Sequence, residues 1–219
     1  MKLVIFDVDG TLVDSQDFIV EAQTRAFSAL GLAAPSRETM LSIVGLSLVR
    51  AFEELVPGGP AQELAAAYRA AWQEMRLDPA FGDTLYPGAV ETVESLAQRK
   101  DTRLGIATGK SQKGVQHLFD EQGWHHLFAS VQTSDLHPSK PDPAMILAAL
   151  AQTGTAPQDA VIVGDTEFDM AMGRAAGIRR IGVTWGYHPT SRLIEGGAEH
   201  LVDDFTELTR LLEQNFFQD

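Results

Sequence analysis

From residue 86 onward the chain alternates helix-like stretches with short apolar runs, and this alternation restricts the possible folds more than any other feature. Helix-like residues 88–98 lead to a strand-like run at 103–107, residues 111–122 to 129–132, residues 143–151 to 160–163, and residues 167–176 to 178–183. A short segment at 199–202 precedes a last helical stretch at about 205–216. Strands separated by helices of this length cannot pair as hairpins; they return to the sheet by crossovers, which makes the sheet parallel and covers both its faces. Leu3-Val4-Ile5-Phe6 is apolar on both of its faces, as a strand inside such a sheet must be. The expected fold is an α/β, Rossmann-like doubly wound parallel sheet.

Residues 15–82 interrupt the pattern. Residues 18–30 read as helix, and so do 61–75, where Ala61, Leu64, Ala65, Tyr68, Ala71, Trp72 and Met75 keep the helical i, i+3, i+4 spacing. Gly59-Pro60 suits a cap followed by proline in the first turn. No strand pattern lies between the two stretches. The expected organisation is a core of residues 1–14 and 83–219 with an all-helical insertion at 15–82, hinged near 14–16 and 81–87. An insertion directly after the first strand loop is positioned to act as a lid.

The first strand ends on two acids, Asp7-Val8-Asp9-Gly10-Thr11. Ligand sites in open α/β sheets lie just beyond the carboxyl ends of the strands. Two carboxylates there can hold a hard cation, attack an electrophile or move a proton. Two later strand ends are also polar. Residues 104–107 run into Thr108-Gly109-Lys110 and a helix start at Ser111, a setting suited to an oxyanion. Residues 161–163 run into Gly164-Asp165, with Asp169 one helical turn further on; Asp165 could join Asp7 at a cation or could cap the helix. Lys140 lies among Pro138, Pro141 and Pro143, on stiffened backbone.

Composition removes other classes. With 30 acids against 17 bases and a formal charge of −13, and with no Lys/Arg cluster, the chain has no footprint for nucleic acid. No apolar run is long enough for a membrane span, and Lys2 with four apolar residues is too short for a signal sequence. The absence of cysteine excludes disulfides and thiolate metal sites and is compatible with a cytoplasmic location.

In the order and spacing of Asp7-Val8-Asp9-Gly10-Thr11, Thr108-Gly109, Lys140 with its prolines, and Gly164-Asp165 through Asp169, the chain resembles the haloacid dehalogenase superfamily of phosphatases. The insertion resembles that family's C1 cap. The closer resemblance is to the phosphoglycolate phosphatase-like branch, through Leu12-Val13-Asp14-Ser15, Tyr86-Pro87-Gly88 and Val44-Gly45-Leu46-Ser47-Leu48; Gly109 departs from it, since many relatives carry Asn there. The resemblance implies that Asp7 is the nucleophile and that Asp9 is the general acid and base. It implies Mg²⁺ held by Asp7, the Asp9 backbone carbonyl and Asp165, with Asp169 orienting that shell. Thr108 and the Gly109 N–H would bind phosphate, and Lys140 would neutralise Asp7 and the phosphoryl group; Lys110, beside Thr108 and Gly109, is a substrate-binding candidate that could meet a substrate carboxylate. The expected substrate is a small phosphorylated metabolite, phosphoglycolate first; pyrophosphate, sugar phosphates and nucleoside monophosphates stay open, and so does the choice between monomer and homodimer.

Rival readings fit less well. Gly105 to Ser111 looks like a P-loop, but three residues separate its glycines instead of four. A dehalogenase does not require Asp9, and a phosphoglucomutase would differ at Thr11–Ser15. A non-catalytic module on this scaffold would be expected to lack one of Asp7, Asp9, Lys140, Asp165 and Asp169, all of which are present. His188 follows a strand end and could approach the site mouth, Arg50 could meet a substrate carboxylate, and His125-His126 reads as structural.

Overall fold

The computed structural model describes residues 1–77 and 84–218. The elements in chain order are β1 (Lys2–Phe6), β2 (Val13–Asp14), α1 (Gln16–Ala29), α2 (Arg37–Leu41), α3 (Leu48–Leu55), α4 (Ala61–Met75), β3 (Thr84–Leu85), α5 (Ala89–Ala97), β4 (Thr102–Thr108) and α6 (Gln112–Gln122). There follow β5 (Phe128–Thr133), α7 (Ala144–Thr153), β6 (Ala160–Gly164), α8 (Glu167–Ala176), β7 (Arg179–Val183), α9 (Thr190–Gly196), β8 (His200–Val202) and α10 (Phe205–Asn215).

Six strands form one sheet in the order β5-β4-β1-β6-β7-β8, and every pairing is parallel. The doubly wound α/β expectation is met. β1 shows why: its alternate side chains enter different cores. Val4 and Phe6 pack with Val93 and Leu96 of α5, Val115 and Leu118 of α6, and Leu208 and Leu212 of α10. Leu3 and Ile5 pack with Met145 and Ile146 of α7 and Met172 and Ala176 of α8. A strand buried on both sides must be apolar throughout, which is the pattern read from the sequence. Because all six strands point the same way, the loops after β1, β4, β5 and β6 gather along one edge of the sheet.

Between β2 and β3 the described residues form only helices. They build apolar clusters of their own. Ala26, Phe27, Phe52, Ala61, Leu64 and Ala65 form one, and Phe18, Ala22 and Met75 another. The boundary expected at 82/83 lies outside the described residues. Several details differ from the sequence reading. Helices α2, α3 and α9 and the antiparallel β2–β3 ribbon carry too few residues for a clear periodicity. Pro60 sits at the N-cap of α4, one position before the first helical turn. Helix α8 is capped by Thr166 and not by Asp165: the Thr166 hydroxyl accepts from the Asp169 N–H, and the Asp169 carboxylate accepts from the Thr166 N–H. Asp165 is thereby left for other work.

Candidate active site

Asp7 still belongs to the sheet, since its N–H donates to Val163 O at 3.0 Å. The chain then turns sharply, with the N–H groups of Leu12 and Val13 both donating to Val8 O. Gly10 makes this turn at φ +85°, and a Cβ there would lie 2.1 Å from Asp165 Oδ2, so only glycine fits. The turn presents Thr11, whose hydroxyl donates to Asp165 Oδ1 at 3.0 Å; the Tyr187 N–H donates to Asp165 Oδ2 at 2.9 Å.

Asp7, Asp165 and Asp169 are all buried, and one carboxylate oxygen from each lies within 4.8 Å of the others. Lys140 enters this cluster from the loop after β5 and is itself buried. Its ammonium donates to Asp169 Oδ1 at 2.6 Å and lies 2.9 Å from Asp7 Oδ2. The ammonium thus bridges Asp169 and Asp7, and Asp7 Oδ2 is buried against it. Asp7 Oδ1, by contrast, accepts from the Val8 N–H at 2.7 Å.

Burial raises the Asp7 carboxyl to about 6, against the pull of Lys140 and with a further push from Asp169. Burial also drives Asp165 well above the usual carboxylate range, helped by Asp7 and Asp169. Burial alone would lower Lys140, but Asp169 and Asp7 outweigh it and hold the ammonium above its ordinary value. Three buried acids share one buried base, so the cluster is short of positive charge. An all-oxygen donor set of three buried carboxylates fits a hard divalent cation such as Mg²⁺.

Asp9 stands apart from these three. Its Oδ1 accepts from Ser15 Oγ and from Lys110 Nζ, each at 2.7 Å. Ser15 is fixed in turn by Tyr187, whose hydroxyl oxygen accepts from the Ser15 N–H at 3.0 Å. The sequence reading names Ser15 only within the Leu12–Ser15 motif and assigns neither it nor Tyr187 to the site. Tyr187 follows the end of β7, and its contact with Ser15 spans 172 positions of chain. Thr108 is buried at the end of β4, where its hydroxyl accepts from the Lys110 N–H at 3.2 Å; Ser134 Oγ donates to Gly109 O at 2.8 Å.

The helical segment closes over this edge through the α2–α3 loop. His188 accepts from the Glu167 N–H on Nδ1 at 3.2 Å, which leaves Nε2 to donate to Ser42 O at 3.0 Å. The Ser47 N–H donates to Ser139 Oγ at 2.7 Å. Between these points Gly45 O and Leu46 O lie over Gly109, where a Cβ would stand 2.5 and 2.7 Å from them. A cavity of about 520 Å³ remains between loop, helices and sheet edge, lined at one end by Asp7, Asp9, Thr108, Gly109 and Lys110. Neither His188 nor Arg50 lines it. His188 is a buried tether between the sheet edge and the helical segment, with its imidazole held down to about 4 by burial and then by Arg192, and Arg50 pairs with Glu53 and Glu54 on its own helix.

Comparison with known proteins identifies the family. A family model described as haloacid dehalogenase-like hydrolase matches residues 4–183. "Probable phosphatase IndB" of Dickeya dadantii is 35% identical over 212 residues, covering 94% of this chain and 91% of that protein. A protein named phosphoglycolate phosphatase from Rhodospirillum rubrum is 33% identical over 218 residues, covering 94% and 89%. A haloacid dehalogenase-like hydrolase of Streptococcus pneumoniae superposes with a TM-score of 0.84 at 27% identity, covering 97% of this chain and 98% of that one. The chain therefore belongs to the haloacid dehalogenase-like hydrolase family.

Proposed function

We propose that the protein is a Mg²⁺-dependent phosphatase that hydrolyses a small phosphomonoester through an aspartyl-phosphate on Asp7. The observation that carries this reading is the buried cluster of Asp7, Asp165 and Asp169 around Lys140, with Asp7 also lining the cavity. A carboxylate that faces the cavity beside a buried ammonium is placed to act as a nucleophile or a ligand. The reading of the chain as a phosphatase also agrees with the names of its relatives.

In this mechanism Asp7 attacks phosphorus, and the bond from phosphorus to the leaving oxygen breaks. Asp9 gives that oxygen a proton; with Oδ1 occupied by Ser15 and Lys110, Oδ2 is the oxygen left to carry it. Asp9 then takes a proton from the water that attacks the phosphoenzyme, which frees Asp7 and releases inorganic phosphate. Thr108 and the Gly109 N–H hold phosphoryl oxygens, Lys110 orients Asp9 and faces the anion, and Lys140 offsets the charge on Asp7. Asp7, the Asp9 backbone and Asp165 would hold Mg²⁺, with Asp169 fixing Lys140 and the surrounding shell. When bound, the ion supplies positive charge to the phosphoryl oxygens.

Asp7→Asn is nearly isosteric but a poor nucleophile, so it should abolish turnover while leaving the melting temperature close to wild type. Acid-quenched wild type should carry phosphate on Asp7 by mass spectrometry, and EDTA should remove turnover until Mg²⁺ is restored. Wild-type rates from the variant would refute the role of Asp7, and undiminished turnover after exhaustive chelation would refute the role of the metal. Phosphoglycolate, the substrate in the names of several relatives, is the reference substrate.

A further inference from the structure

The distal part of the cavity differs in chemistry from its catalytic end. It is lined by Phe18 and Ile19 of α1, by Val44 and Leu48 beside the α2–α3 loop, and by Tyr68 and Trp72 of α4. Trp72 is held in position: its ring stands edge-on to Phe18 at 5.8 Å between centroids, and the Arg76 guanidinium lies 4.4 Å from its centroid. The volume, about 520 Å³, falls within the ~300–1,000 Å³ of sites that enclose ligands well beyond the size of a two-carbon acid.

The charges point the same way. A carboxylate next to the phosphate would need a cation close to the catalytic end. Lys110 is committed to Asp9, and Lys140 to Asp169 and Asp7. The other cations lining the cavity, Arg69 and Lys113, are both exposed.

From this wall we propose that the preferred substrate is a phosphomonoester of a bulky, uncharged, ring-bearing alcohol, and not a two-carbon acid phosphate. The ring packs against Trp72 and Phe18. The proposal rests on the phosphatase reading above. It assigns specificity to Trp72 and Phe18, neither of which lies at the catalytic end of the cavity.

The test compares kcat/KM, with Mg²⁺ present, for phosphoglycolate, ethyl phosphate, 2-phenylethyl phosphate and uridine 5′-monophosphate. All four leave as primary alcohols, so leaving-group chemistry is kept similar. Stacking and ring burial should favour the two ring-bearing substrates over phosphoglycolate and ethyl phosphate by about 10–100-fold. Trp72→Leu should shrink the ratio of 2-phenylethyl to ethyl phosphate by about tenfold; Phe18→Leu serves if that variant does not fold, and the wild-type ranking needs no variant. Equal or better turnover of phosphoglycolate overturns the proposal and leaves the phosphatase reading intact. So does a substrate ratio unmoved in a folded Trp72 variant. Failure to release phosphate from all four and from p-nitrophenyl phosphate overturns the phosphatase reading, and this proposal falls with it.

Discussion

Gly109 offers a direct measure of how closely cap and core must meet. Replacing it by alanine adds one carbon, which would sit 2.5 Å from Gly45 O and 2.7 Å from Leu46 O. Ordinary contact begins near 3.4 Å, so the α2–α3 loop must retreat by about 0.9 Å. Both clashing atoms are backbone, so no side chain can swing aside. The same loop is pinned by His188 at Ser42 and by Ser139 at Ser47, so retreat at Gly45 strains both tethers. A displacement of about 1 Å at a reacting centre can cost ~10²-fold in rate. We expect Gly109→Ala to lower kcat/KM by roughly that factor, and Gly109→Asn by more. Folding should be spared, because Gly109 keeps a backbone conformation open to any residue and the clash is with the cap, not the sheet. Steady-state kinetics on the preferred substrate, with a melting curve for each variant, would check this. Wild-type kcat/KM in a folded Gly109→Ala protein would refute the argument that this close approach governs closure.

Three further outcomes are expected. His188 is neutral in the folded protein, with its imidazole lowered to about 4, whereas the unfolded chain binds that proton near the ordinary value of 6.5. Stability is therefore full above 6.5 and falls as pH drops from 6.5 toward 4, by about 2 kcal/mol between pH 7 and pH 5 from this group; His188→Gln should flatten that part of the urea-stability profile, and an unchanged slope would refute it. Lys140→Met leaves three buried acids without their base and should destabilise the metal-free protein by about 3–5 kcal/mol; a midpoint in urea equal to wild type would show that the ammonium is not needed there. Asp9→Asn should slow the phosphorylation burst with an alkyl phosphate ~10²–10⁴-fold more than with p-nitrophenyl phosphate, whose leaving group needs no proton; equal losses would remove Asp9 as the acid.

The site was legible wherever local pattern and function conflict. An apolar strand ending on Asp7, or on Gly164-Asp165, is conspicuous because burial and carboxylates oppose one another. The sheet was legible for a related reason: strands such as β1 and β6, buried on both faces, must be apolar at each position. Partners supplied by distant segments were not legible. Nothing near Ser15 announces Tyr187, and nothing near Ser42 announces His188, since each pair is joined only when the sheet edge and the helices close on each other. The five residues of α2 and the two of β2 are too short to carry a period. Their places are set by packing and by the Ser36 cap, which accepts from the Thr39 N–H.

The β2–β3 ribbon has a consequence for how such a chain can be remodelled. Val13 faces Leu85, Asp14 faces Thr84, and the Tyr86 N–H donates to Leu12 O at 3.0 Å. The chain thus leaves and re-enters the core at neighbouring points. To the sheet, everything between Asp14 and Thr84 is topologically a hairpin turn, however long it is. Closing that gap with a two-residue Asn-Gly turn would satisfy the same antiparallel register. Loop-closure entropy costs less for a shorter connection, so closure itself would not oppose the exchange; the loss would be the contacts the segment makes with the sheet edge, such as those of Ser42 and Ser47. Such a minimal enzyme would keep Asp7, Asp9, Thr108, Lys140, Asp165 and Asp169 but lose Ser15, the apolar wall and the shelter from water. Its catalytic edge would be open to phosphorylated side chains on a protein surface, substrates too large to enter the closed cavity.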